Sequence, residues 1–157
     1  MSFISPLSPM QKAVWSLLNK GLSMSQVADE LKTSPQYVHQ TRRNAEAKLT
    51  RALTEAAEAG SIQVNRIRAS EGLLWGYHPG LQLDAVVSYT TKDGVKIWYW
   101  YDNPEEVTDE TFLQETKQYL LNLAEERHIS LSDEEKQLHP GKLANHIFRE
   151  LLPVVKS

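Results

Sequence analysis

Apolar positions recur with a helical period over the first third of the chain and with a strand period after it. Apolar residues at i, i+3, i+4, i+7 and i+8 share one face of a helix; near the N-terminus they are Met10, Ala13, Val14, Leu17 and Leu18. From residue 62 to residue 68 apolar and polar side chains alternate, as in a strand with one wet face. The pattern therefore predicts a helical segment ending near Gly60, followed by a β segment.

Short sequence signals divide the helical segment into three helices. Ser8 and Ser23 are each followed three residues later by Gln, the spacing of a capping box, and each predicts a helix start. Ser34-Pro35 predicts a third start, and nothing breaks the helical period from there to Gly60. Lys32 lies in the turn before the third helix, where glycine is common, so we expect it to be left-handed.

Two strands and a tight turn are predicted in the middle of the chain. Residues 83–91 and 95–101 are rich in β-branched and aromatic side chains. Asp93-Gly94 between them favours a two-residue hairpin turn, which would join the two strands as an antiparallel pair. Residues 72–77 are a candidate for one further short strand.

The helical period returns in the last third of the chain. Helices are predicted from about residue 108 to residue 128, briefly after Ser132, and from residue 143 to residue 152. Together the elements predict an α+β protein. An N-terminal three-helix helix-turn-helix with a long third helix would be followed by a small antiparallel sheet packed with C-terminal helices. The change of period at Gly60 predicts two domains, residues 1–60 and residues 61–157.

Charge is distributed unevenly between these two predicted domains. The formal net charge of the chain is -3. Residues 1–60 contain seven Lys and Arg against five Asp and Glu, a net charge of +2, so residues 61–157 carry -5. This asymmetry favours two different roles for a mildly basic first part and an acidic second part.

Composition also bounds where the protein works. Cysteine is absent, so a disulfide framework and a thiolate metal site are excluded. No apolar run approaches the roughly 18 residues needed to span a bilayer, and residues 1–10 lack the basic-then-apolar pattern of a signal peptide. We therefore expect a cytoplasmic protein without membrane contact.

The third predicted helix has a polar face opposite its apolar stripe. Val38, Ala45 and Leu49 share the packing side of a 3.6-residue helix. The opposite side and its flanks carry the predicted base-reading residues, which are Gln36, Tyr37, His39, Gln40, Arg43 and Asn44. Glutamine can pair with adenine and arginine with guanine in the major groove. The predicted phosphate contacts are Lys20, Lys32, Ser34, Arg42, Lys48 and Arg51.

The first third of the chain also resembles a known group of DNA-binding domains. It carries L-S-x-x-Q at residues 7–11, K-G-L-S-x-x-x-V-A-x-x-L at residues 20–31, and T-S-x-x-x-V-x-Q-x-x-x-x-A-x-x-K-L at residues 33–49. These motifs resemble the sigma-region-4-like helix-turn-helix, a group that includes LuxR-type regulators. The archaeal Tfx-type transcription regulators are the most similar subgroup. The resemblance covers about residues 5–55.

The resemblance has consequences for individual residues. It implies that Gln36, His39, Gln40 and Arg43 face bases or nearby phosphates. Tyr37 and His39 stand where sigma factors commonly have cationic side chains. The −35 sequence of bacterial promoters is therefore not the expected target.

These observations predict a sequence-specific transcription regulator that binds double-stranded DNA through residues 1–60 and acts by occupying promoter DNA. Residues 61–157 would dimerise, sense a ligand, or contact RNA polymerase or another regulator. A homodimer is favoured, because groove readers often pair two recognition helices, and Leu49, Leu53 and Ala56 form a stripe suited to a dimer seam. The alternative is a helix-turn-helix that docks on the transcription machinery as a protein-interaction module.

Aromatic residues in the second part suggest a further possibility. A ligand pocket could be lined by Trp75, Tyr77, Tyr89, Trp98 and Trp100. The alternative is that these rings cover the sheet, because strands favour aromatic side chains. The five histidines lack metal-ligand spacing, and no P-loop, GxSxG, GxGxxG or HExxH motif occurs. An enzyme, a bound metal and a cofactor are therefore not expected.

Overall fold

The computed structural model describes residues 5–100 and 109–151. Its helices are α1 (Pro9–Asn19), α2 (Met24–Leu31), α3 (Pro35–Ala59), α4 (Glu110–Glu126), α5 (Asp133–Lys136) and α6 (Pro140–Leu151). Its strands are β1 (Gln63–Arg68), β2 (Leu73–His78), β3 (Leu83–Thr90) and β4 (Gly94–Tyr99). The predicted α+β class is confirmed, and residues 101, 108 and 152 of the predicted elements lie outside the described residues. None of the described helices is both long and apolar enough to cross a membrane.

Capping boxes start α1 and α2, as the sequence predicts. The hydroxyl of Ser8 accepts a hydrogen bond from the backbone N–H of Gln11 at 3.2 Å, and the side-chain oxygen of Gln11 accepts one from the N–H of Ser8 at 2.9 Å. Ser23 and Gln26 repeat the arrangement in α2. Each box satisfies two backbone donors that a helix N-terminus would otherwise leave unpaired.

The turn between α2 and α3 depends on one left-handed residue. Lys32 caps α2 with φ 55° and ψ 49°, which confirms the prediction for this position. The N–H of Thr33 then reaches back to the carbonyl of Ala28 at 2.9 Å and closes the end of α2. The chain is thereby free to begin α3 at Pro35, with the hydroxyl of Ser34 accepting from the N–H of Tyr37 at 3.1 Å.

A small apolar core fixes the three helices relative to one another. Its buried members are Val14, Val27, Ala28 and Val38. Leu17, Leu18, Leu22, Met24 and Leu31 pack around them. Because all three helices contribute to it, this core sets the direction in which the first half of α3 presents its polar side.

The second half of α3 packs on the sheet. Leu49, Leu53 and Ala57 are fully buried, and α3 contacts β1, β2 and β3. The sequence predicts a possible dimer seam formed by Leu49 and Leu53 together with Ala56. The structure corrects that prediction, because both leucine side chains are already covered within their own chain and offer no surface to a second copy.

The sheet has the strand order β1-β2-β3-β4, so β1 is an outer strand. Its antiparallel pairing with β2 is interrupted by a bulge at Asn65, between the pairs Val64↔Gly76 and Arg66↔Trp75. The turn before β4 occupies residues 91–93, one residue more than predicted, and Gly94 opens β4 with a φ of 74°. The hydroxyl of Thr90 accepts from the N–H of Asp93 at 2.9 Å and holds this turn closed.

Contacts divide the chain into two units, Met1–Trp98 and Tyr99–Ser157. The three N-terminal helices and most of the sheet therefore share one unit, and the predicted boundary at residues 60 and 61 falls inside it. Aromatic packing contributes to this arrangement, together with the packing of α3 on the sheet. The ring of Trp15 on α1 meets that of Tyr89 on β3 edge to face, with centroids 5.2 Å apart, and the indole N–H of Trp15 donates to the carbonyl of Ala69 at 3.3 Å.

The second unit has its own apolar core. Helices α4 and α6 pack against each other, and their buried apolar residues include Leu120, Leu123, Leu143, Ile147 and Phe148. The ring of Trp100 lies 6.5 Å from that of Phe148, centroid to centroid. Helix α5 is a single turn capped by Ser132 and Glu135.

Candidate nucleic-acid interface

The six predicted base-reading residues lie together on the solvent side of the first half of α3. Gln36, Tyr37, His39, Gln40, Arg43 and Asn44 are all exposed, with Tyr37 at 45%. Val38, Thr41 and Ala45 on the opposite side are buried. At 1.5 Å per helical residue, Gln36 and Arg43 are about 10 Å apart along the axis, a length of about three base pairs. We call this surface the α3 face.

The N-terminus of α3 adds a favourable electrostatic setting. Pro35 occupies the first turn, and no acidic residue lies there or in the first turn of α2. The amide dipoles of a helix give its N-terminus a partial positive charge that attracts anions, and an acidic side chain in the first turn would oppose that attraction. The beginning of α3 can therefore approach a phosphate without repulsion from its own side chains.

Most of the predicted phosphate contacts are exposed, although several of them already have partners within the chain. Lys20, Lys32 and Ser34 face solvent, and the Ser34 hydroxyl caps α3 as described above. The ammonium group of Lys48 donates to the side-chain oxygen of Gln11 at 3.1 Å. The Arg51 guanidinium pairs with Glu55 at 3.0 Å. Exposed pairs of this kind are weak, so both cations remain available to a phosphate.

Arg42 does not share this surface. It points along the flank of α3 towards α1, where its Nη2 lies 3.4 Å from His39 Nδ1 and its Nε lies 3.8 Å from the Glu46 carboxylate. The guanidinium helps to line a cleft of about 160 Å³. The structure thus separates Arg42 from the other predicted phosphate contacts.

The predicted aromatic pocket is not formed as one site. Register pairs Trp75 with Val86, and Leu74 with Val87. Because directly opposed residues share a face and faces alternate along a strand, Tyr89 lies with Leu74 on one face and Trp75 lies on the other. The face with Tyr89 is covered by Trp15. The five predicted rings therefore cannot surround a single ligand.

Two features of the structure were not predicted from the sequence. The guanidinium groups of Arg66 and Arg68 lie 5.4 and 5.8 Å from the ring centroid of Trp75. Because side chains alternate along β1, the sequence could predict that these two arginines share a face. It could not predict the Trp75 ring beside them, because that contact depends on the register between β1 and β2. The second feature is the cleft beside Arg42, which includes Asn19 and Ser70, residues from distant parts of the sequence.

A larger cleft lies in the second unit. It measures about 470 Å³ and is lined by Leu121, Ala124, Glu125, Ile129, Ser130, Leu131 and Lys136. Within residues 5–100 and 109–151, no group of three or more His, Asp or Glu side chains is arranged to hold a metal ion.

Comparison of the chain with protein-family models, with curated proteins and with solved structures finds no match.

Proposed function

We propose that this protein is a sequence-specific transcription regulator that binds double-stranded DNA through the α3 face and acts by occupying promoter DNA. The observation that carries the proposal is the exposure of six hydrogen-bonding side chains on one side of a helix whose other side is locked into a core. A helix held in this way can enter a major groove without losing its own packing. The resemblance to sigma-region-4-like domains supports the same reading.

The roles of the side chains follow from their chemistry. Gln36 and Gln40 each offer an amide that can donate to and accept from adenine, and Arg43 offers two donors to guanine. Lys20, Lys32 and Lys48 would contact phosphates, which strengthens binding to any sequence and makes it sensitive to salt. The protein would work in the cytoplasm, and a homodimer would set two α3 faces one DNA turn apart. That dimer would use a surface other than Leu49 and Leu53.

The test begins with selection of bound duplexes from a random pool, followed by mobility shifts on the selected site. Arg43→Ala and Gln40→Ala should each weaken binding by about 1–3 kcal/mol and relax the preference at one base pair. Lys92→Ala and Gln114→Ala are matched controls, because these exposed residues lie on the β3–β4 turn and on α4. Equal affinities for all four variants and the wild type would show that the α3 face does not read DNA.

The exposed ring of Tyr37 favours a second candidate, a helix-turn-helix that docks on RNA polymerase or another regulator. Tyrosine is enriched at protein interfaces, where its ring supplies a large apolar contact. The salt dependence of the binding affinity distinguishes the two candidate functions. If several phosphates are contacted, the affinity for DNA should fall steeply with salt, by about tenfold or more between 50 and 200 mM. Binding to a protein partner that is unchanged over this range, with no selected duplex, would favour the second candidate.

A further inference from the structure

The cleft beside Arg42 lies at the junction of three elements in the first unit. It is lined by Trp15, Leu18 and Asn19 of α1, Arg42 and Glu46 of α3, and Ser70 of the turn between β1 and β2. The Asn19 amide donates to the carbonyls of Trp15 and Ser70 at 3.0 and 3.1 Å, which ties α1 to that turn. The walls of the cleft are therefore held by hydrogen bonds and are not simply a gap between loose side chains.

Arg42 and Glu46 form a loose i, i+4 ion pair in this cleft, and their side chains are 36% and 27% exposed. The Nε of Arg42 is buried and has no hydrogen-bond partner among the described residues. Its nearest charged neighbour is the Glu46 carboxylate at 3.8 Å, beyond hydrogen-bond distance. Because the Nε itself is covered, a ligand would contact the exposed parts of the Arg42 guanidinium and of the Glu46 carboxylate.

We propose that this cleft binds a small zwitterion of the free α-amino acid class, with its carboxylate on the Arg42 guanidinium and its ammonium group on the Glu46 carboxylate. A simple anion would gain from Arg42 and be repelled by Glu46, and a simple cation would meet the reverse situation. A molecule that carries both charges satisfies both residues. Ser70 is a further polar residue at the cleft, and Trp15 and Leu18 supply an apolar wall.

The volume of the cleft restricts the ligand to small members of this class. At about 30 Å³ per water molecule, 160 Å³ holds about five waters. Glycine, alanine and serine, with five to seven non-hydrogen atoms, are of this size, whereas leucine and tryptophan are larger. A ligand with so few atoms is expected to bind with a dissociation constant on the order of 1 mM.

Thermal unfolding of the full chain tests the site without DNA. Glycine, L-alanine and L-serine at about 10 mM should each raise the Tm by about 3 °C. Acetate, methylammonium and L-tryptophan at the same concentration should not. Absence of a shift with all three small amino acids, or an equal shift with acetate, would overturn the proposal.

Variants assign the effect to the cleft. Arg42→Gln and Glu46→Gln should each abolish the shift. The matched controls are Arg51→Gln and Glu55→Gln, because Arg51 and Glu55 form the same i, i+4 pair on the same helix in the open solvent. Arg42→Lys keeps the charge without the guanidinium fork and provides the test if Arg42→Gln does not fold. Shifts that persist in both Arg42 variants and in Glu46→Gln would rule out this site.

We expect ligand binding in this cleft to change the position of a side chain on the α3 face as well. This consequence rests on the proposed function. Arg42 Nη2 lies 3.4 Å from His39 Nδ1, so a ligand that captures the guanidinium releases the His39 ring towards the groove. L-Alanine at about 10 mM should then tighten binding to the selected duplex severalfold in the wild type and leave Arg42→Gln unchanged. A Tm shift without any change in DNA affinity would overturn this coupling and leave the site itself standing.

Discussion

At the scale of single residues, Gly76 shows how closely the backbone of β1 approaches β2. A Cβ at this position would lie 2.0 Å from the carbonyl oxygen of Gln63 and 2.8 Å from Cγ2 of Ile62. Gly76→Ala should therefore lower the free energy of unfolding by about 3 kcal/mol, because a backbone oxygen cannot move aside as a side chain does. Urea denaturation measures this change.

The control for that substitution is Gly60→Ala. Its Cβ would meet the Cδ1 end of the Ile97 side chain at 3.0 Å, and the φ of Gly60 is -87°, which alanine adopts readily. The loss should stay below about 1 kcal/mol, because the end of a flexible side chain can rotate away. Equal losses at the two positions would contradict the close approach at Gly76.

Lys32 is a second residue whose backbone conformation has a measurable cost. Its φ of 55° places a side chain in a region that glycine occupies without penalty. Lys32→Gly should be more stable than Lys32→Ala by about 1 kcal/mol, and both variants lose the same charge. Chemical denaturation of the pair isolates the backbone effect, and identical stabilities would mean that the turn does not hold Lys32 left-handed.

At the scale of elements, α5 depends on a single carboxylate. Glu135 accepts from the N–H of Ser132 at 3.1 Å and pairs with His146 of α6. The Ser132 backbone N–H, with the Ser132 hydroxyl and His146, lowers the pKa of Glu135 below its ordinary value of 4.5. The folded pKa thus lies below the unfolded one, so the stabilisation is complete above about pH 4.5 and is lost as pH falls through the folded pKa.

The first turn of α5 should therefore loosen at acid pH. The amide chemical shift of Ser132 is expected to titrate below about pH 4.5 in the wild type and in Glu134→Gln. In Glu135→Gln that titration should disappear, because the neutral amide oxygen can still accept the bond but carries no proton to gain. A Ser132 titration that survives in Glu135→Gln would contradict the role assigned to the carboxylate.

Element boundaries also show what the sequence could predict. Capping boxes, the left-handed turn and the change of period at Gly60 are local signals, and each matches a helix start, a turn or a helix end in the structure. The bulge at Asn65 and the docking of Asn19 on Ser70 were not predicted. They depend on which distant segments meet, and the apolar period of one segment carries no information about its partner.

At the scale of the whole molecule, the sheet covers apolar residues of α3 that the three N-terminal helices alone would leave exposed. Residues Leu49, Leu53 and Ala57 are buried in the unit that α3 shares with β1–β3, so a fragment of residues 1–60 exposes part of that surface. Burying one leucine contributes about 1.5–3 kcal/mol, and domains of about 60 residues are marginal without such a contribution. Residues 1–60 alone should show frayed amides at Leu49 and Leu53, whereas residues 1–98 should protect them.

Hydrogen exchange followed by NMR makes that comparison. A fragment of residues 1–60 with full protection at both leucines would mean that the helices form an independent domain, as the period change at Gly60 predicts. The α3 face was predictable from a helical wheel because exposure on one helix is a local property. The division into units was not, because it reflects contacts between distant segments, such as the Trp15–Tyr89 contact between residues 74 positions apart.

The outer position of β1 has a consequence for the protein at high concentration. An edge strand can pair with the same strand of another molecule and so extend the sheet, which is how fibrils grow. Here the β1 strand of a second molecule would meet the bulge at Asn65, and its own arginines would face the like charges of Arg66 and Arg68. Crowded copies should consequently repel at this margin, and a strand able to join it would have to be negatively charged.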